Sequence, residues 1–174
     1  ETLYKIGNEL ERIFRNIPKQ SHKLKAPGQR VISDIVIKGK LFVAACTDKT
    51  RVPNIIMSLY ANHGYYPKPW QLLICTTSTT MEELTIFIKR CFFASNNGYD
   101  NHLFVIANLE LLDFELQYDL VNQIRLMQEL HDDYLLALIC YRETGMHHHI
   151  LDQFSLDVHA TNGLNVEAMR GIYR

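Results

Sequence analysis

The chain has 174 residues, 47% of them hydrophobic, which is enough to bury the core of one globular domain. No apolar run approaches the ~18 residues of a membrane span and no signal peptide opens the chain, so the sequence predicts a cytoplasmic protein with no membrane-spanning segment. The net charge of −1 hides a polarity: residues 1–51 hold 11 Lys+Arg against 5 Asp+Glu, and residues 52–174 hold 7 against 14. That polarity suits docking between neighbouring modules, and without interleaved aromatics it gives no nucleic-acid surface.

Leu3, Ile6, Leu10, Ile13, Phe14 and Ile17 recur at helical spacing, which predicts an amphipathic helix over residues 2–17, ended by Pro18. The basic linker "KQSHKLKAPGQR" follows, with a turn at Pro27-Gly28. Residues 1–29 therefore stand as an N-terminal helix and linker, and residues 30–174 as an α/β unit. "VISDIVI" (31–37) reads as a first, edge-like strand. Then apolar strands alternate with helices. "KLFVAAC" (40–46) leads to a helix near 53–62, and "WQLLICT" (70–76) to one near 80–93. "HLFVIAN" (102–108) leads to a helix near 113–131, and "YLLALICY" (134–141) to a short one near 145–154. "LDVHAT" (156–161) reads as a last strand. Nearly continuous apolar strands are buried on both faces, as in a parallel sheet between layers of helices.

Thr79 with Glu82, or Thr80 with Glu83, forms a capping box at the third of these helix starts, and Asn97-Gly98 marks a reversal. Cys46, Cys75, Cys91 and Cys140 show no C-x-x-C spacing and read as buried thiols of a reducing compartment.

The stretch "VAACTDKT" (43–50) has the length and terminal Lys49-Thr50 of a phosphate-binding loop, G-x-x-x-x-G-K-[ST], without its glycines. Val43 and Asp48 stand at the glycine positions. A β-branched side chain resists the backbone geometry required, and a carboxylate ~4 Å from a phosphate oxygen is repelled by a few kcal/mol at an effective dielectric near 20. A magnesium-holding Asp is expected at the end of a neighbouring strand. In "LFVIANLELL" that place holds Asn108, with Glu110 following Leu109. "YLLALICYRET" ends in Tyr141-Arg142-Glu143, with no Asn, Ser or Thr to sense a γ-phosphate. Hydrolysis is not expected, and ATP held without turnover would rest on Lys49 and Thr50.

Other chemistries fit less well. Cys46 and Arg51 are separated by four residues, where a cysteine phosphatase loop needs five. Cys75 is followed by hydroxyl residues with no arginine at that spacing. His147, His148 and His149 are adjacent, so on a helix they diverge by ~100°, unlike the i, i+4 pairs of helical metal sites. They read as a solvated or helix-end cluster. No catalytic residue and no metal ligand is assigned.

The segments "PWQLLICTTSTTMEELTIFIKRCFF", "HLFVIANLELLDFELQYDLVNQI" and "YLLALICYRETGMHHHILDQFS" resemble the mysterin-type giant RING-finger E3 ubiquitin ligases in their AAA+ core. The resemblance covers roughly residues 69–155. It rests on a strand ending in C-T-x-x-T-T and a Glu-containing helix ending in Arg90-Cys91. It implies a three-layer, P-loop-NTPase-like fold, here a degenerate AAA+ unit whose helical lid lies beyond this fragment. The family carries six AAA units in one chain, of which some keep working ATPase motifs. The resemblance therefore implies a non-hydrolysing structural module, partnered by neighbouring AAA+ modules of the same polypeptide. Ubiquitin transfer and ATPase activity would lie in other modules. The alternative is a free-standing α/β domain that binds a nucleotide or peptide without catalysis.

Overall fold

The computed structural model describes residues 35–163; the expected helix over 2–17 and the basic linker lie outside them. Among the described residues five strands are formed: β1 (Phe42–Cys46), β2 (Leu72–Ile74), β3 (Phe104–Ala107), β4 (Leu136–Tyr141) and β5 (Val158–Ala160). They lie in the order β2-β3-β4-β1-β5, and every pairing is parallel. The helices are α1 (Val52–His63), α2 (Met81–Phe92), α3 (Phe114–Leu130) and α4 (His149–Gln153). This is the three-layer, P-loop-NTPase-like AAA fold that the sequence predicts.

The order of the strands places the helices. From β1 the chain crosses by α1 to the far edge at β2. It then steps back through α2 and α3, and passes β1 by α4 to reach β5. Right-handed crossovers put the single outward step on one face and the three return steps on the other. Side chains of successive strand residues divide accordingly. Val43 and Ala45 share a core with Leu84, Phe87, Leu120, Ile124 and Ile150 of α2, α3 and α4. Phe42, Ala44 and Cys46 share the other with Ile55, Ile56, Leu59 and Tyr60 of α1. Each fully buried side chain of this size contributes roughly 1.5–3 kcal/mol. Beside the second core, the Leu103 carbonyl accepts from Tyr60 Oη at 2.7 Å and from Gln71 Nε2 at 2.9 Å.

Local chemistry sets the helix ends. Thr80 and Glu83 form the capping box, with both bonds at 3.3 Å. Thr79 instead accepts from the Thr76 amide at 2.8 Å, so the alternative pairing with Glu82 is not used. Asp113 caps α3 through the Leu116 amide at 2.8 Å. The short helix begins at His149 rather than near residue 145, because Gly145 turns with φ +83 and His148 supplies the cap.

The expected strand over 31–37 does not form across 35–37, and residues 31–34 lie outside the described part. The segment turns instead at Gly39, where φ is +79 and the Asp132 carbonyl leaves no room for a side chain. The Gly39 amide donates to Tyr134 O at 2.8 Å, pinning the entry of β1 to the entry of β4.

Candidate functional site

The carboxyl ends of β1, β4 and β3 form the crevice where an open α/β sheet places its ligands. At β1 the strand runs through Cys46, so Val43, at the first glycine position, is fully buried and paired with Leu138 and Val158. Only Thr47 and Asp48 separate β1 from a 3-10 turn over Lys49–Arg51, which runs into α1. Asp48 closes that turn. Its Oδ1 accepts from Thr50 N at 3.0 Å and from Thr50 Oγ1 at 2.6 Å. The Arg51 amide donates to Asp48 O at 3.0 Å, and the Val52 amide to Lys49 O. Three successive amides at the start of α1, and the Thr50 hydroxyl, are thus taken within the loop. The carboxylate stands where an anion would sit on a helix N-terminus. The hydroxyl and amide of Thr50 hold Asp48 below the usual carboxylate range.

Lys49 does not point along the loop. Its Nζ lies 4.6 Å from the ring centroid of Tyr141, at the end of β4. Arg51 Nε donates to Asn162 O at 3.1 Å. Gly163, with φ +77, then packs so closely on α1 that a Cβ would meet the Asn54 carbonyl carbon at 2.6 Å. The chain after β5 therefore folds over the start of α1.

At the end of β3, Asn108 is 2% exposed and adopts the left-handed conformation, φ 61 and ψ 41. Its Nδ2 is buried without a partner. β4 lies between β3 and β1, so the strand expected to neighbour the loop is one place removed. The turn at Asn108 swings the 3-10 segment Leu109–Leu111 back towards β4. There Glu110 Oε2 accepts from the Tyr141 amide at 3.1 Å. Burial pushes the Glu110 carboxyl up, while its backbone hydrogen bonds and Lys49 draw it partly back. Lys49, Tyr141 and Glu110 are brought together; Thr50 faces Asp48. Sequence spacing placed Glu110 one position too late and could not reveal its return. The one available signal was an Asn, a residue tolerant of left-handed geometry, directly after an apolar strand.

The other candidates are placed elsewhere or disarmed. Burial pushes the Cys46 thiol up, and its Sγ donates to Asp48 O at 2.8 Å. Burial pushes Cys75 up to about 12, and Cys91 and Cys140 move the same way. All four cysteines are free and buried, and none has the environment of an activated thiolate. Of the histidines, His147 lies 3.7 Å from Asp152 and is almost fully exposed. His148 Nδ1 accepts from the Ile150 amide at 3.2 Å, and the His149 ring meets Phe114 edge-on at 4.9 Å. Their three rings serve three different contacts. Among the described residues, no group of three or more His, Cys, Asp or Glu could hold a metal ion, and no helix is long and apolar enough to cross a membrane.

Residues 43–157, about two thirds of the chain, match the family model described as the RNF213 AAA domain. The match spans the sheet from β1 to the approach of β5 and includes the segments that resemble the mysterin-type ligases. The chain belongs to the RNF213 AAA domain family and is an AAA-type module of a mysterin-like protein.

Proposed function

We propose that this unit is a non-hydrolysing structural and interaction module of a large mysterin-like E3 ubiquitin ligase. It works in the cytoplasm beside neighbouring AAA+ modules of the same polypeptide, and other modules carry ATPase activity and ubiquitin transfer. The observation that carries this reading is the self-closed loop, in which Asp48 takes the Thr50 amide and hydroxyl. A triphosphate does not fit residues whose donors are already bonded, behind a strand that runs through Val43. At the end of β3, Asn108 offers magnesium no charge. Lys49 and Thr50 are traces of a phosphate loop, and neither ATP nor another cofactor is needed for the module's role.

An interaction role also has a surface. On α3, Phe114, Tyr118, Leu126 and Leu130 are 66%, 51%, 58% and 67% exposed. They follow a shallow row of four-residue steps along the helix. The occupant of this stripe is an adjoining AAA+ module, in keeping with the charge polarity along the sequence.

Two measurements test the proposal. Titrating the chain with Mg-ATP should leave Tm unchanged, and a rise of several degrees would sink the reading. In the whole ligase, Lys49→Ala with Thr50→Ala should leave ATP turnover intact, whereas Leu126→Asp with Leu130→Asp should loosen contacts between modules.

A further inference from the structure

The sequence holds two Asn-Gly pairs, Asn97-Gly98 and Asn162-Gly163. Asparagine is chemically labile, and a following glycine removes the Cβ that would crowd attack on its carboxamide. In a folded chain the attack has two further requirements. The glycine amide must leave its hydrogen bond, and the backbone needs room to swing that nitrogen onto the Asn Cγ. The fold treats the two pairs in opposite ways.

Asn162-Gly163 is gripped. The Asn162 carbonyl accepts from Arg51 Nε at 3.1 Å, and its Oδ1 lies 3.9 Å from Cys46 Sγ. The Gly163 amide donates to Thr161 Oγ1 at 3.1 Å. The Asn54 carbonyl carbon stands 2.6 Å from where a Gly163 Cβ would lie, so a swing of this peptide drives it into α1.

Asn97-Gly98 is tied at its flanks and loose at its tip. It lies between α2 and β3, and both residues are exposed. Ser95 Oγ bonds to Asp133, and the Tyr99 amide donates to Ala94 O at 2.8 Å, so both ends of the reversal are fixed. Between them the Gly98 amide reaches Ser95 O only at 3.3 Å, longer than an ordinary N–H···O bond. Gly98 has φ +81 and nothing within 4 Å of where a Cβ would stand. Among the described residues, no side-chain hydrogen bond holds the Asn97 carboxamide.

We propose that Asn97 is a site of spontaneous covalent modification, to which the fold confines a reaction that both pairs could undergo. The Gly98 nitrogen loses its proton to solvent and forms a bond to Asn97 Cγ, while the Cγ–Nδ2 bond breaks and ammonia leaves. Water then opens the cyclic imide at either carbonyl, giving aspartate or isoaspartate with no change of oxidation state. The product adds negative charge to a turn that already carries Asp100 and touches Asp133. The isoaspartate form also lengthens the main chain just before Tyr99, whose ring meets that of Trp70 edge-on at 5.2 Å. That contact loosens as the chain ages.

The full chain, incubated in mildly alkaline buffer and then digested, reports both sites by mass and by enzymatic methylation of isoaspartate. Asn97 should convert roughly tenfold faster than Asn162, or more, because only the latter must first open its contacts with α1. Emission from Trp70, the only tryptophan, should change on the same time course, and Asn97→Gln should abolish that change. In urea the two pairs should convert at similar rates, since only the fold separates them. Equal rates in the folded chain, or Asn162 ahead, overturn the proposal. So does an Asn97 that stays intact when folded yet converts in urea. A preference for Asn97 that persists in urea overturns the role given to the fold, and unchanged emission overturns the loosening of Tyr99.

Discussion

Asp48 and Glu110 are carboxylates at the same end of one sheet, the first in the loop after β1 and the second in the turn after β3. Their surroundings push them in opposite directions. Asp48 is exposed, and the hydroxyl and amide of Thr50 hold its pKa down. Glu110 is half-buried, and desolvation outweighs the Tyr141 amide and Lys49, so its pKa goes up. The first region has closed on itself at little cost. The second keeps a left-handed Asn108, an unpaired buried amide and a poorly solvated acid. The loop after β1 is thus closed on its own donors, whereas the turn after β3 carries the strained backbone and the unpaired amide.

The contrast can be broken most severely at Asn108. Asn108→Asp places an unpaired charge where the side chain is 2% exposed, and should cost about 3 kcal/mol, read as a lower urea midpoint. Rescue of that variant by Mg-ATP would mean the site still assembles around a nucleotide. Glu110→Ala leaves the Tyr141 amide without its acceptor and should cost about 1–3 kcal/mol. Glu110→Gln keeps an acceptor and sharpens the comparison through pH. Because the folded pKa of Glu110 lies above its unfolded value, the native state holds the proton more tightly. Stability then falls as pH rises from the unfolded value through the folded one. The Gln variant lacks that fall, so its advantage over the natural chain should grow across this window in pH-dependent melting.

Asn108→Gly relieves the left-handed backbone and removes the unpaired amide, for a gain of up to about 1 kcal/mol after the entropy of a glycine is counted. Asp48→Ala should have the smallest effect, a slightly lower Tm near neutral pH. Asp48 has a depressed pKa, so its contribution is present above the unfolded value and is lost as pH falls through the folded one. The difference between this variant and the natural chain should therefore vanish in acid.

The architecture was legible because its signals are local. Apolar runs located all five described strands to within two residues at each end, and a capping box located the start of α2. The order of the strands was not legible, since pairing β4 with β1 depends on contacts between segments far apart in the chain. The loop after β1 was half legible. The missing glycines were plain, and so was the unsuitable charge of Asp48. That the carboxylate would take the loop's own donors depended on how far β1 extends, which no residue type announces. The return of Glu110 to β4 was not legible for a similar reason, because linear spacing carries no information about a turn driven by one left-handed residue. The start of α4 was read too early, since helical spacing continues across Gly145 although its backbone does not.

The two outer strands, β2 and β5, are only three residues each. They leave little open ladder on either side of the sheet, and His159 of β5 stacks on Phe42 at 4.7 Å, holding that margin against β1. A polypeptide that carries several similar sheets in tandem risks pairing one unit's margin with the next while both are still emerging from the ribosome. Short margins such as these lower that risk for any unit so placed.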